Sequence, residues 1–266
     1  MTTPRPSAPE GARLSRVRVA DQIIAQLQNK IADGSYPRGS RLPTERVLAA
    51  TYGVSAPTMR EALRALTSMG LVEVRHGSGA YVATSADGLI DSALAMLVEL
   101  EDVSLLDLLG LLQVLNRYVA ELAVEHATDE DIERVAASAE ASAHCESSDE
   151  IAVAATAFLT SFAACAHQPL LDALCRFLVR VVVHIETANQ PKRSVPYWRR
   201  WAAETSVVRI EIARALERRD ARQLGIEIDR LHSRIRKRVA KLPALRDSRM
   251  SDPRIEPLRL LFGSQS

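Results

Sequence analysis

The sequence predicts a mainly α-helical protein with two domains: two short helices followed by a small β-hairpin, and then an antiparallel bundle of six or seven longer helices. Three observations support this fold class. Prolines and glycines divide residues 34–82 into short segments joined by turns. Beyond residue 88, apolar residues recur at helical spacing, without the alternation of strands. Hydrophobic residues make up 47% of the chain and aromatic residues only 4%, which favours a core of packed aliphatic helices.

Two short helices are predicted over residues 45–64. Thr44 and Ser55 each precede an apolar-periodic segment, where a hydroxyl can accept a backbone N–H bond and cap the helix. Gly53 supplies the turn between the helices. Pro57 falls in the first turn of the second helix, where proline removes no intrahelical bond. This spacing is typical of a helix-turn-helix, whose second helix enters the major groove of DNA.

Helical spacing gives the second helix two faces. Met59, Leu63 and Leu66 should be buried. The side chains expected to project the other way are those of Thr58, Arg60, Glu61 and Arg64. After Gly70 the period changes, and two strand-like runs, residues 71–74 and 80–82, flank a glycine-rich tip, His76-Gly77-Ser78-Gly79. The hairpin completes a winged helix-turn-helix.

Residues 17–83 resemble the N-terminal DNA-binding domain of the GntR family of bacterial regulators. The motifs that carry the resemblance, in order, are Leu42-Pro43-x-Glu45-Arg46, Gly53-Val54-Ser55, Arg60-Glu61-Ala62-Leu63-x-x-Leu66, Gly70-Leu71-Val72 and Gly77-x-Gly79. The residues that the resemblance implies as DNA contacts are Arg46, Ser55, Thr58, Arg60, His76 and Gly77. Arg64, on the same helix face, is a further candidate.

The chemistry of these residues suits DNA. Arg46 and Arg60 can bind phosphate or guanine, and the hydroxyls of Ser55 and Thr58 lie near a helix N-terminus, which favours a phosphate. Where the family often carries an arginine, this chain has Ala56, which should shift the base preference. The alternative for the arginines is a solvated helix surface.

Charge is distributed unevenly along the chain. Residues 1–83 carry 11 Lys/Arg and 6 Asp/Glu, residues 84–186 carry 4 and 18, and residues 187–266 carry 19 and 9. The positive first segment suits a polyanion, whereas DNA would repel the acidic middle segment. The basic third segment either faces DNA or packs against the acidic middle, and packing is the simpler interpretation.

Composition sets the expected domain limits. These are a disordered arm over residues 1–13, the winged domain over 14–83, a linker over 84–88, the helical domain over 89–242 and a flexible tail over 243–266. No apolar run is long enough to cross a bilayer and no signal peptide opens the chain, so no membrane insertion is expected. Cys145, Cys165 and Cys175 lack CxxC spacing and are interpreted as reduced, buried thiols of a cytoplasmic protein, with a cysteine-based sensor as the alternative.

The helical domain resembles the ligand-binding domain of the FadR subgroup. The motifs that carry this resemblance are Leu122-Ala123-x-Glu125-x-Ala127-Thr128 and Ala215-Leu216-x-x-x-Asp220. The resemblance implies a divalent metal held by one aspartate and three histidines. The corresponding positions here are Ala155, Leu159, Arg209 and Leu231, with His232 one residue off. We therefore expect no metal and no cofactor.

Loss of these charged ligands predicts a drier cavity between the helices, in which a hydrated small carboxylate would lose hydrogen bonds. We expect a small-molecule effector with a substantial apolar part, such as a fatty acid or an acyl thioester. The residues expected to bind it are Asn116, Leu159, Arg180, His184 and Arg209. The alternative is a bundle that simply fills its own interior.

These features predict a homodimeric transcriptional regulator, more specifically a repressor, that binds a near-palindromic operator in double-stranded DNA and responds to a small molecule. The alternative is an effector-independent, DNA-organising protein whose bundle only dimerises. An aminotransferase-like enzyme would need a longer chain, a glycine-rich phosphate loop and a Schiff-base lysine. No catalytic residue is predicted.

Overall fold

A computed structural model describes residues 10–75, 77–83, 87–189 and 193–258. The elements in chain order are α1 Glu10–Ala32, α2 Glu45–Tyr52, α3 Ala56–Ser68, β1 Val72–Arg75, β2 Gly79–Val82, α4 Asp87–Leu100, α5 Leu105–His126, α6 Asp129–Ala141, a 3-10 turn Ser142–His144, α7 Ser148–Ala164, α8 Pro169–Ala188, α9 Val195–Glu217, α10 Ala221–Lys241 and α11 Pro243–Arg246. The described residues form two compact units, one that ends at Ala93 and one that begins at Leu94. The mainly helical fold class is confirmed.

The helix ends of the first unit form as predicted. The Thr44 hydroxyl accepts a hydrogen bond from the backbone N–H of Val47 at 3.4 Å, which caps α2. The Ser55 hydroxyl accepts one from the backbone N–H of Thr58 at 3.4 Å, which caps α3. Gly53 between them has φ of 64°, a left-handed conformation that side chains other than glycine rarely adopt. The turn between α2 and α3 therefore depends on this glycine.

The three helices and the hairpin of the first unit share one apolar core. Its fully buried side chains include Leu27 of α1, Leu48 of α2, and Met59 and Leu66 of α3. Leu63, which was expected to be buried, is only half-buried at the edge of this core.

The hairpin is joined to the segment that precedes α2. β1 and β2 pair antiparallel, with Val72 opposite Val82 and Arg75 opposite Gly79. Residues 39–42 lie along the other edge of β2, where the Leu42 N–H donates to the Ala80 carbonyl at 2.8 Å and the Val82 N–H donates to the Ser40 carbonyl at 2.9 Å. The wing is thus tied to the chain that leads into the helix-turn-helix.

The second unit is the predicted helical bundle. Within the described ranges, the second unit contains six long helices, α5 to α10, and the C-terminal part of α4. Phe158, Phe162 and Phe177 are its largest fully buried side chains. Among the described residues, none of the helices combines the length and apolarity needed to span a bilayer.

Acidic and basic segments of the second unit pack against each other. Arg199 lies 2.6 Å from Glu146, and Arg249 lies 4.0 Å from Asp102. Arg219 donates to two carbonyls at the end of α5, those of Val124 and Ala127, at 2.8 and 2.9 Å. These contacts favour packing as the role of much of the basic third segment.

Three of the expected domain limits differ from the bounds of the structural elements. α1 begins at Glu10, so residues 10–13 of the expected arm are helical, and α4 begins at Asp87 inside the expected linker. The tail is not loose up to residue 258, because Leu245, Ile255 and Leu258 are buried. Apolar side chains spaced among the prolines anchor this irregular segment, a pattern that composition alone hides. Residues 1–9, 84–86 and 259–266 lie outside the described residues.

Candidate DNA-binding surface and helical-unit cavity

The N-terminus of α3 is built by two hydroxyls. Ser55 is exposed, whereas Thr58 is only 6% exposed and its Oγ1 lies 2.8 Å from the Ser55 Oγ. The expectation that Thr58 projects outward is therefore wrong. Thr58 lies three residues after the capping residue Ser55, and its side chain turns inward beside Met59. Its hydroxyl contacts the Ser55 hydroxyl from the buried side, and Ser55 itself stays at the surface.

Arg60 is held at the surface by a carboxylate of the preceding helix. Its Nε lies 3.1 Å from one Glu45 carboxylate oxygen and its Nη2 lies 2.8 Å from the other. This two-point contact links α2 to α3, and the Arg60 side chain remains 55% exposed. The guanidinium is thereby oriented while its outer edge stays free to meet a ligand.

Other exposed cations of this unit lie on α2, on α3 and at the hairpin. Arg46 and Arg64 are exposed, as is Gly77 at the wing tip, whereas His76 lies outside the described residues. Sequence reasoning missed Arg41 and Arg75 at the hairpin. The Arg75 guanidinium lies 4.3 Å from the Tyr81 ring centre, and a Cβ on Gly79 would lie 3.2 Å from the Arg41 Nε. Arg75 directly follows the strand-like run 71–74, which could have indicated it, whereas Arg41 reaches the hairpin through its bridge to Tyr81, which the sequence does not show.

A cavity of about 40 Å³ lies inside the second unit, lined by α5, α7, α8, α9 and α10. Its walls are mostly apolar. The charged or titratable side chains that line it are Glu186, Arg209, His232 and Arg238.

The cavity includes only part of the predicted effector site. Leu159 and Arg209 line it, and Asn116 lies directly behind it, with its Nδ2 3.0 Å from His232 Nε2. Arg180 and His184 are not among its lining residues, because the face of α8 that turns toward the cavity carries Val179, Val182, Val183 and Glu186. The His184 Nε2 instead donates to the Glu256 carbonyl at 2.9 Å.

The positions at which the resemblance placed metal ligands do converge. Ala155, Leu159 and Arg209 line the same cavity. The fourth position was predicted one residue early, because His232 lines the cavity and Leu231 does not. Among the described residues, no group of three or more His, Cys, Asp or Glu side chains is placed to hold a metal ion.

Positive charge exceeds negative charge at the cavity. Arg209 is 4% exposed, and its guanidinium lies 5.6 Å from the centre of the Phe158 ring. Burial lowers the pKa of Arg209 to about 10, so the side chain stays protonated at neutral pH. Arg238 is 8% exposed, 4.9 Å from the Trp201 ring centre, with its Nη1 3.9 Å from a Glu186 oxygen. Burial raises the pKa of Glu186 above its usual value, and the nearby Arg238 offsets part of this rise.

His232 is fully buried and neutral at physiological pH. Burial lowers its pKa to about 4. The sequence placed His232 one residue away from a ligand position and gave no indication of Glu186 or Arg238. Both of these charged residues lie beside apolar stripes, and the stripes alone do not show which flanking residues turn inward.

The three cysteines are free and buried, as predicted. Burial raises the pKa values of Cys165 and Cys175 to about 12, which keeps both as unreactive thiols. These two cysteines do not favour the alternative of a cysteine-based sensor.

Two capped helices joined by a left-handed glycine and followed by a short antiparallel hairpin define a winged helix-turn-helix, a class of DNA-binding domain. Residues 19–82 match the family described as bacterial regulatory proteins, gntR family. This part of the chain is a DNA-binding domain of the GntR family.

The curated relatives are similar over less than half of the chain. An uncharacterized HTH-type transcriptional regulator of Mycobacterium tuberculosis is 39% identical over 127 residues, which cover 47% of this chain and 52% of the relative. The Uxu operon regulator of Haemophilus influenzae is 38% identical over 116 residues, which cover 43% and 42%. The chain thus spans about half the length of the curated relatives it matches. By their names, the first relative is an HTH-type transcriptional regulator and the second is an operon regulator.

A solved structure extends the similarity in fold. The Streptococcus agalactiae GntR structure is similar to 82% of this chain, over 99% of its own length, with a TM-score of 0.60 and 20% sequence identity. At this identity the similarity shows a shared fold.

Proposed function

We propose that the chain is a homodimeric transcriptional regulator that binds a near-palindromic operator in double-stranded DNA and acts in the cytoplasm as a repressor. The observation that carries the proposal is the oriented, half-exposed Arg60 on a capped helix of a GntR-family domain. Repression is the simpler output, because a dimer bound over a promoter obstructs transcription without contacting polymerase.

The proposed DNA contacts divide by role. Arg60 reads a base edge, since Glu45 fixes its direction before DNA arrives. The Ser55 hydroxyl and the backbone N–H of Ala56, at the start of α3, bind a phosphate. Arg46 and Arg64 neutralise phosphates on either side. His76 and Gly77 enter the minor groove from the wing tip. Thr58 contributes indirectly by holding the Ser55 cap.

The proposal is tested by selecting bound sequences from a randomised duplex library and measuring the affinity of the selected duplex at several salt concentrations. An enriched near-palindrome with salt-dependent affinity supports the proposal. Recovery of unenriched sequences, bound with weak preference, would favour the effector-independent, DNA-organising alternative.

Substituting Arg46→Met should weaken binding to selected and unselected duplexes equally, because a phosphate contact carries no sequence information. The slope of log affinity against log salt should become shallower by about one per protomer. Fluorescence anisotropy titrations measure both quantities. Arg214→Met, which removes an exposed arginine paired with Glu211 in the second unit, is the matched control. An unchanged slope would remove Arg46 from the phosphate contacts.

An exposed apolar stripe on α5 supports the proposed homodimer. Leu111, Val114 and Tyr118 are 50%, 64% and 51% exposed, and their spacing places them along one side of the helix. Contiguous apolar surface of this kind is typical of protein contacts. A second copy of the chain would cover it and bring two reading helices to one operator.

The substitution Val114→Glu should convert the dimer to monomers, because it would bury an unpaired carboxylate in the contact. Sedimentation velocity measures the change, and operator affinity should fall by at least about tenfold as the two half-sites become unlinked. Val153→Glu, at an apolar α7 position that is 71% exposed, is the control. A Val114→Glu protein that stays dimeric would place the interface elsewhere.

The effector part of the proposal is an apolar small molecule bound in the second unit. Ligand binding would favour one arrangement of the two reading heads over another. The cavity of about 40 Å³ limits this ligand, since a single water needs roughly 10–15 Å³ of such space. A compact apolar body therefore fits better than a long acyl chain unless side chains move. The same small volume is the observation that favours a bundle that only dimerises.

A further inference from the structure

We propose that Arg41 and Arg75 form a phosphate-binding site on the outer face of the hairpin, and that Gly79 makes room for it. We call these three residues the wing phosphate site. Its ligand is one phosphodiester of the backbone of duplex DNA. The inference rests on the proposed function, to which it adds a contact that neither the helix-turn-helix nor the hairpin tip supplies.

The first argument is that both arginines lie on the face of the hairpin that is turned away from the core. Val72 and Val82, which lie opposite each other, are 2% and 1% exposed and pack in the core of the first unit. Because side chains alternate along a strand, Arg75 projects from the other face. Tyr81 shares that outer face, and an antiparallel bridge on the far edge of β2 places Arg41 beside Tyr81.

The second argument is that a glycine brings the two guanidinium groups to neighbouring positions. Gly79 pairs directly with Arg75. A Cβ built on Gly79 would lie 3.2 Å from the Arg41 Nε and 3.3 Å from its Nη2, so the Arg41 side chain uses space that any other residue would fill. The φ of Gly79 is 113°, which also favours glycine. The Arg41 guanidinium therefore lies over the residue that pairs with Arg75.

The third argument is that Arg75 is oriented with its donors exposed. Its guanidinium lies over the Tyr81 ring, 4.3 Å from the ring centre, and the Tyr81 hydroxyl lies 2.7 Å from the Ser78 Oγ, which fixes the ring. A guanidinium placed over an aromatic ring keeps its N–H donors free to bind a phosphate. The Arg75 side chain is 51% exposed, so a ligand can reach these donors.

The backbone that carries Arg41 is also fixed. On either side of it, the Leu42 N–H donates to the Ala80 carbonyl at 2.8 Å, and the Ser40 carbonyl accepts from the Val82 N–H at 2.9 Å. Donors that are in place before binding lose less conformational freedom when the ligand arrives. The wing phosphate site is therefore largely formed in the free protein.

The fourth argument is an excess of positive charge on this face. Glu73 is the one acidic residue between Val72 and Val82, and its Oε2 lies 3.5 Å from the Arg75 Nη2. Within the described residues, no carboxylate pairs with Arg41. Two guanidinium groups and one carboxylate leave one positive charge for an anion. In a DNA-binding domain, the DNA backbone, with one charge per about 1.7 Å of helix axis, is the anion that this face fits.

The test uses the full chain and the duplex obtained by library selection, remade with a single methylphosphonate at each backbone position of a half-site in turn. A methylphosphonate removes one negative charge and keeps the sugar and the base. Anisotropy titrations should show a loss of at least about tenfold at the phosphate that the wing phosphate site binds. Arg41→Met and Arg75→Met should each weaken binding to the unmodified duplex by a similar factor.

Both variants should also become insensitive to methylphosphonate at that one position, because the charge they would bind no longer matters to them. They should keep the native sensitivity at the phosphates bound by the helix-turn-helix. Arg214→Met, which removes an exposed arginine paired with Glu211 in the second unit, should keep the whole native profile. If either hairpin variant keeps the native sensitivity at every phosphate, the proposal is overturned and its arginine is a solvated surface residue.

Gly79→Ala tests the positioning role of the glycine. The added methyl group should displace the Arg41 guanidinium, so this variant should lose the same phosphate sensitivity as Arg41→Met. The double variant should bind the unmodified duplex no more weakly than Arg41→Met alone, because the glycine acts through the arginine. A further loss in the double variant would mean that alanine disturbs the hairpin itself, which overturns the role given to Gly79.

The inference and the proposed function fail separately. If the library yields no enriched duplex, the proposed operator fails, and the wing phosphate site is measured on an unselected duplex. There, Arg41→Met and Arg75→Met should each make the slope of log affinity against log salt shallower by about one per protomer. Unchanged slopes overturn the site. An enriched duplex with native phosphate sensitivity in both variants removes the site and leaves the proposed function standing.

Discussion

Arg60→Met is expected to weaken binding to the selected operator by roughly ten- to a hundredfold per protomer and to relax preference at one base position of each half-site. The reason is geometric, since Glu45 presents the guanidinium with its direction already fixed. Repeating the library selection with the variant, followed by anisotropy titrations, measures both effects. Arg214→Met again controls for the loss of one positive charge.

Glu45→Gln separates the orientation of Arg60 from its charge. This variant keeps the cation but removes the charged partner that holds it, and it also removes a negative charge near the DNA. Affinity for unselected duplexes should therefore rise while the ratio of specific to non-specific affinity falls. If both Arg60→Met and Glu45→Gln keep the base preference, Arg60 contacts only the DNA backbone.

Mild acid is expected to destabilise the second unit through His232. Its pKa is lowered from 6.5 to about 4 by burial, so between these values the unfolded chain binds a proton that the folded chain does not. As far as His232 is concerned, the free energy of unfolding is therefore highest above pH 6.5 and decreases as the pH falls toward 4. The 2.5-unit difference corresponds to a loss on the order of 3 kcal/mol in the free energy of unfolding.

Denaturant unfolding at a series of pH values between 7 and 4 measures this loss. His232→Gln should show a shallower decline, since its amide oxygen can accept the Asn116 bond without titrating. His126→Gln, which replaces an exposed histidine of α5, should follow the native profile. If His232→Gln and the native chain decline in parallel, other groups cause the acid sensitivity.

Local chemistry made the first unit predictable. Caps at Thr44 and Ser55 and the turn at Gly53 depend on residues within a few positions of each other, so the sequence carries them directly. The orientation of Thr58 was predicted wrongly, because its hydroxyl contacts the capping Ser55 and its side chain therefore does not point outward from α3. The clamp between Glu45 and Arg60 joins two helices, and no spacing rule reveals it.

The cavity was less predictable because it depends on the rotation of five helices relative to one another. An error of one residue in α10 exchanged Leu231 for His232, which is a turn of roughly 100° about the helix axis. On α8 the same uncertainty favoured Arg180 and His184 over Glu186. The bundle itself was predictable, because apolar stripes fix which helices exist without fixing the polar residues that border each stripe.

The backbone bonds between residues 39–42 and β2 have a mechanical consequence. Because residues 39–42 are hydrogen-bonded to β2, the hairpin is held against the chain that enters α2. The distance between the two proposed DNA contacts, the start of α3 and the hairpin, should therefore vary little. A duplex whose grooves do not match that distance must itself bend or narrow, and sequences that deform easily should be preferred even at base pairs that no side chain reaches.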